Sequence, residues 1–219
     1  MQMPSAARLM TTPERELVER VYGSTLPSRY RIILTDALGG GGAPFTIPTS
    51  LISAATIPGA FGAALDSLVL QIPGMSWFTS MRNATGSGFT DITNALRSVS
   101  QAAGIINLGY IMNVGAAYPD MMANADTKEL MVHETCHVWQ GHNSWSSTTY
   151  VLNSITHQCS GMIKGQSRNA AYDYTPGQSF STYNAEQQAS IVEDWYVAGE
   201  PTSGDLWPYI QNNIRTGTG

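Results

Sequence analysis

Along residues 130–139, LMVHETCHVW, apolar side chains fall on nearly every side of a helix, and the polar ones fall at a helical interval. His133, Glu134 and His137 share one stripe with Leu130, while Met131, Val132, Cys136, Val138 and Trp139 occupy the other faces. Residues three and four apart lie on one face of an α-helix. A helix that is apolar nearly all round is a buried one. The pattern predicts a buried helix over residues 127–140. Asp126 is its expected N-cap, with Glu129 three residues on as in a capping box. Gly141 is its expected left-handed stop.

The same reading places the other elements. Thr12 and Pro13 open a first helix as N-cap and N1, with Leu17, Val18, Val21 and Tyr22 beside Glu16 on its inner side and its end near Gly23. Residues 29–38 (RYRIILTDAL) alternate and read as a strand, and the four glycines at 39–42 as a turn into Pro44-Phe45-Thr46-Ile47. No Lys-Ser/Thr follows those glycines, so they are no phosphate cradle. Residues 83–88 read as a polar loop, 91–102 and 150–163 as helices, and 105–114 (IINLGYIMNV) as a strand. That strand is either interior or an edge that pairs with a peptide main chain. Asn184 caps a helix running through Ile191, Val192, Trp195 and Tyr196 to Gly199, and residues 207–215 dock as a short helix.

Residues 37–65 carry no charge, but Pro44, Pro48 and Pro58 break any helix long enough to cross a membrane. A buried, partly helical segment is the reading there, and a membrane-active patch the alternative. Residues 1–11 lack a basic stretch followed by an apolar one, so they are no Sec signal peptide and read as a lead-in to a single domain over 1–219. A net charge of −5 and a pI near 5.2 give no footprint for nucleic acid. The two cysteines make no disulfide framework. Cys136 lies off the His stripe as a buried free thiol, with a bridge to Cys159 as the alternative in an oxidising compartment.

His133-Glu134-x-x-His137 points to a metal. Two imidazoles one turn apart suit Zn²⁺, and the neighbouring carboxylate can take a proton from an activated water. Burying two His and a Glu with no partner would be costly. A third ligand is required. The metzincin pattern needs Gly and His where this chain has Gln140 and Asn143, and His142 is out of step. The gluzincin pattern takes a Glu from a later helix. Glu186 is the first candidate, Glu193 on the same face the reserve, and Asp194 or Asp173 the aspartate alternatives. Tyr172, Tyr174, Tyr183 and His157 are candidate donors to an oxyanion.

The stretches VHETCHVWQ, AYDY, YNAEQQASIVEDW and WPYIQNNIR resemble a bacterial family of zincin metallopeptidase domains that includes C-terminal effector domains of VgrG-type spike proteins of type VI secretion. The resemblance spans the last 90 or so residues, and extends more weakly to RIILTDALGGGGAPFTIP. It implies an α+β, zincin-like fold, mostly helical with a small sheet beside the HExxH helix. It implies one Zn²⁺ per chain on His133, His137 and Glu186, with Glu134 as general base. Ser190 departs from thermolysin-like enzymes, which have an acidic residue four after the Glu ligand, and leaves open what supports each imidazole.

The function expected is hydrolysis of a peptide or protein substrate by a toxin domain. A spike protein would be its attached or delivery partner and an immunity protein its antagonist. Secretion without a Sec signal and action in a target cell's periplasm follow. The alternatives are a peptidoglycan amidase or endopeptidase, and a zinc-stabilised binding domain without turnover.

Overall fold

A computed structural model of the chain describes residues 6–36, 38, 44–48, 109–143 and 172–218. The fold is α+β, with a four-stranded sheet in the order β1-β2-β4-β3. Strand β1 (Ala7–Leu9) pairs antiparallel with β2 (Ile32–Thr35). Strand β2 runs parallel to β4 (Tyr110–Asn113), and β3 (Phe45–Pro48) lies antiparallel on the far side of β4. β4 is buried at every position and has a neighbour on each side, so of its two possible roles it takes the interior one. The edge beside the site is β3. Asn113 fixes that edge, accepting from the Thr35 hydroxyl at 2.6 Å and donating to the Phe45 carbonyl at 3.1 Å.

Within the lead-in expected over residues 1–11, Ala7–Leu9 form the other edge strand. Arg8 holds it to α1 (Thr12–Tyr22). Its guanidinium donates to both Glu14 oxygens at 2.7 and 2.6 Å and to the Tyr118 carbonyl at 2.8 Å. Glu14 is buried, and burial alone would raise its carboxyl. The bonds from Arg8 and from the Thr11 N–H outweigh this and hold it below the usual carboxylate range. The N-cap of α1 is therefore Thr11, one residue before the expected Thr12, because Glu14 reaches back to the Thr11 N–H at 2.7 Å.

Helix α2 (Ala125–Asn143) is longer at both ends than its pattern predicts. Asn124, not Asp126, is its cap. The Asn124 Oδ1 accepts the Thr127 N–H at 3.0 Å, and the Thr127 hydroxyl accepts the Asn124 N–H at 3.2 Å. Gly141 does not stop it. A Cβ there would lie 2.7 Å from Cε1 of the buried Tyr110 ring, so this glycine permits close approach of helix and sheet. The helix ends where the Asn143 amide donates to the Trp139 and Thr25 carbonyls at 2.8 and 3.0 Å.

Helix α3 (Ala185–Val197) starts at the expected Asn184, whose Oδ1 accepts the Gln187 N–H at 3.0 Å. It stops before Gly199, at φ +86°. Its inner face, Ala189, Ile191, Val192 and Trp195, is fully buried and packs chiefly on α2. Helix α4 (Trp207–Asn212) and a short 3-10 turn, Ile214–Thr216, close the core, with Trp139 Nε1 donating to the Ile214 carbonyl at 2.9 Å. Tyr22 ties α1 to α2 by donating to the Val132 carbonyl at 2.6 Å.

Within the strand expected over 29–38, Ile32–Thr35 is extended as β2, and a 3-10 turn occupies Arg29–Arg31. The glycine turn at 39–42, the uncharged stretch from 49, the loop at 83–88, the helices at 91–102 and 150–163, residues 105–108, His157 and Cys159 lie outside the described residues. Among those described, no helix is long and apolar enough to cross a membrane.

Gly141→Ala sets two effects against each other. Helix propensity gains about 1 kcal/mol, and overpacking a well-filled core costs about 1–3 kcal/mol. With a ring carbon of Tyr110 in the way, the clash wins. Urea denaturation should show a net loss of about 1 kcal/mol, where an ordinary helical glycine would show a gain.

Candidate metal centre

Helix α2 sets His133 and His137 one turn apart, with ring centroids 5.2 Å apart and planes at 79°. The first turn of α3 brings Glu186 across from both. Its Oε2 lies 3.3 Å from His133 Nε2 and 3.5 Å from His137 Nε2. Glu134 completes the cluster, and His133, Glu134 and His137 offer ligand atoms all within 4.8 Å of one another. All four residues are buried. The His133–Glu134–His137 group can hold a metal ion.

The donor set fits zinc, which takes imidazole nitrogen and carboxylate oxygen. Two carboxylates compete for the third position. Glu134 Oε2 accepts the Thr46 hydroxyl from β3 at 2.8 Å. Glu186 Oε2 faces both Nε2 atoms at once. Glu186 thus faces both imidazoles across the cluster, with Glu134 beside them.

The electrostatics separate the same two groups. Burial raises the Glu134 carboxyl, and the attraction of His137 and His133 only partly offsets this. Burial would raise Glu186 too, but His137 and His133 together hold it well below the usual carboxylate range. Two neighbouring carboxylates are thus pushed apart, Glu134 up and Glu186 down. For His133, burial lowers the imidazolium, but hydrogen bonds to Glu186 and Glu193 overcome this and carry it up to about 10. His137 is raised against its own burial chiefly by the charge of Glu186.

Behind the imidazoles stand two further side chains. His133 Nδ1 is 2.8 Å from Glu193 Oε2, and His137 Nδ1 is 2.9 Å from Gln140 Oε1. Glu193, the reserve ligand from sequence, thus sits on the ring nitrogen away from Glu186. It supplies the acidic support that Ser190 does not. Ser190, Tyr172, Asp173, Asp194 and Pro44 line the cleft over the site, a space of about 520 Å³.

Of the expected oxyanion donors among the described residues, Tyr172 is the one brought to the cleft beside the histidines, its ring centroid 5.9 Å from that of His133. Tyr174 donates its hydroxyl to Asp194 at 2.6 Å. Tyr183 is buried and donates to the Thr175 carbonyl at 2.7 Å, which holds the turn at 175–178. Neither of these two lines the cleft over His133. Cys136 is a free thiol on the far side of α2, pushed up by burial. Thr46 and Gln140 were missed from sequence. Gln140 had a signal, standing three after His137 on the same helix. Thr46 had none, since it reaches Glu134 across 88 positions.

The fold and the cluster define an α+β protein with a buried His–Glu group that can hold a metal. No protein-family model and no solved structure matches the chain. It is 29% identical over 92 residues to the type VI secretion system spike protein VgrG2b of Pseudomonas aeruginosa, a match covering 40% of this chain and 8% of that protein. The chain is therefore related over part of its length to a VgrG spike protein, of which the match takes in less than a tenth.

The raised His133 gives a signed pH dependence. Its folded value of about 10 exceeds the ordinary 6.5, so its contribution is fully present below pH 6.5 and is lost as pH rises through about 10. Glu186 is lowered, so its contribution is present above its ordinary 4.5 and is lost as pH falls. Chelator-treated protein should melt highest between these limits, and its Tm should fall from pH 7 toward 10. Zinc competes with the proton for the same nitrogens. The rise in Tm on adding zinc should therefore grow with pH from 6 to 8.

Proposed function

We propose that this chain is a zinc-dependent metallopeptidase domain of gluzincin type, acting as a toxin delivered with a type VI secretion spike. The observation that carries the reading is the placing of His133, His137 and Glu186 around one point, with Glu134 poised beside them. A structural zinc site needs four closed protein ligands and no spare base. Here a buried carboxylate of raised pKa stands next to a three-ligand set, which suits turnover.

His133, His137 and Glu186 would hold the metal. Bound zinc supplies Lewis acidity that polarises a carbonyl and acidifies water. Glu134 takes a proton from the attacking water and returns it to the leaving nitrogen. The Thr46 hydroxyl holds the Glu134 carboxylate toward β3 through this cycle. Tyr172 is the group at hand to donate to the oxyanion.

The cleft also suggests which peptides enter. Asp126, Glu129, Asp173 and Asp194 line it, and no Lys or Arg does among the described residues. Its field favours a basic or neutral segment over an acidic one.

Zinc-loaded protein should cleave unfolded protein substrates, and Glu134→Gln should lower turnover by about 10²–10⁴-fold while elemental analysis still finds one zinc. Release of soluble fragments from purified sacculi, with unfolded protein left intact, would replace this by the peptidoglycan reading. Full zinc with no turnover on either would leave a binding domain.

Delivery is tested in a susceptible bacterium. Expression behind a Sec signal should arrest growth, expression without one should not, and Glu134→Gln should relieve the arrest. Toxicity that survives Glu134→Gln would separate the weapon from this site.

A further inference from the structure

The structure leaves a neutral amide, not a carboxylate, behind one of the two imidazoles. We propose that Gln140 is a positioning residue that fixes His137 in its Nδ1–H tautomer, through a chain of amides anchored on backbone carbonyls. The inference rests on the zinc reading above and deepens it.

The chain fixes every hydrogen by elimination. Gln188 Nε2 lies 3.0 Å from the Phe180 carbonyl and 3.3 Å from the Tyr183 carbonyl. A carbonyl only accepts, so this end of Gln188 is its NH₂ and the other its oxygen. That oxygen lies 2.8 Å from Gln140 Nε2, which also lies 2.9 Å from the Ala185 carbonyl. Two acceptors face this end of Gln140, so it must donate. Turning the amide over would set oxygen against two oxygens. Gln140 Oε1 therefore faces His137 Nδ1 at 2.9 Å as an acceptor, and Nδ1 must carry the proton. In the neutral ring the lone pair is then on Nε2, which faces Glu186.

One side chain thus sets two ligands. It orients the His137 ring, and it grips the carbonyl of Ala185, the residue before Glu186. Gln140 is 3% exposed, so water does not substitute for these bonds. A glutamate at 140 would orient the ring equally well but would set a carboxylate oxygen against the Ala185 carbonyl and Gln188 Oε1. The amide answers both demands.

The test replaces Gln140 with Met, close in shape and without the acceptor, and measures zinc affinity by competition with a chromophoric chelator. Long-range ¹H–¹⁵N spectra of the zinc-loaded protein report the tautomer. Wild type should show His137 bound through Nε2, with a slowly exchanging Nδ1–H. Gln140→Met should lose that protected proton and bind zinc about 10–100-fold more weakly. Affinity unchanged in Gln140→Met, with the proton retained, overturns the proposal and leaves the zinc reading standing. Wild type that binds no zinc overturns both. If Gln140→Met does not fold, Gln188→Met decides, since it touches neither histidine. It should weaken zinc binding in the same direction, and unchanged affinity there overturns the proposal.

Discussion

The structure turns on one carboxylate shared by two imidazoles. Glu186 is 1% exposed and would be costly to bury as an anion alone. His133 and His137 compensate it from one face of α2, with their Nε2 atoms 3.3 and 3.5 Å away. That requirement sets the spacing of α2 and α3 more tightly than their apolar faces would. Leu, Val and Ile contacts tolerate small slides between helices, whereas a buried ion pair does not survive the loss of one partner.

The frame around this pair is held by polar pins at its margins. Arg8 on Glu14 fastens β1 to α1, Tyr22 fastens α1 to α2, and Asn113 fastens β3 to β4. The first spans six positions and the other two 110 and 68, and together they lead from the far sheet edge to the strand carrying Thr46. Thr46 on β3 thus meets the Glu134 carboxylate from the sheet, while Glu186 on α3 faces His133 and His137 from across α2.

What the sequence disclosed follows from the range of the interactions. The HExxH face is a matter of three and four residues along one helix, and it was legible. So was Asn184 with Gln187, a local cap. Glu186 was legible as a candidate because the first turn of a capped helix is a fixed place. Errors fell where a local rule met a tertiary contact. Gly141 carries a stop signal, yet the Tyr110 ring against it makes it a packing glycine inside the helix. Asp126 is a good cap by type, but Asn124 with Thr127 closes a better box. Glu193, the reserve for Glu186, shares its face. Seven residues is two turns, which carries it past the pair to the outer nitrogen of His133. Thr46 and the roles of the tyrosines depend wholly on distant partners, and no local pattern encodes them.

The cluster carries charges that compensate one another, and this bears on how metal and folding are coupled. In small zinc modules the unpaired ligands repel or stay solvated until the ion arrives, so binding free energy is folding free energy. Here the imidazoles, when protonated, neutralise Glu186, and Glu193 and Gln140 hold their outer nitrogens. The core beside the cluster is large, with Trp139, Trp195, Tyr22 and Ile210 all buried. Binding of a metal there exchanges protons for a cation within a standing framework.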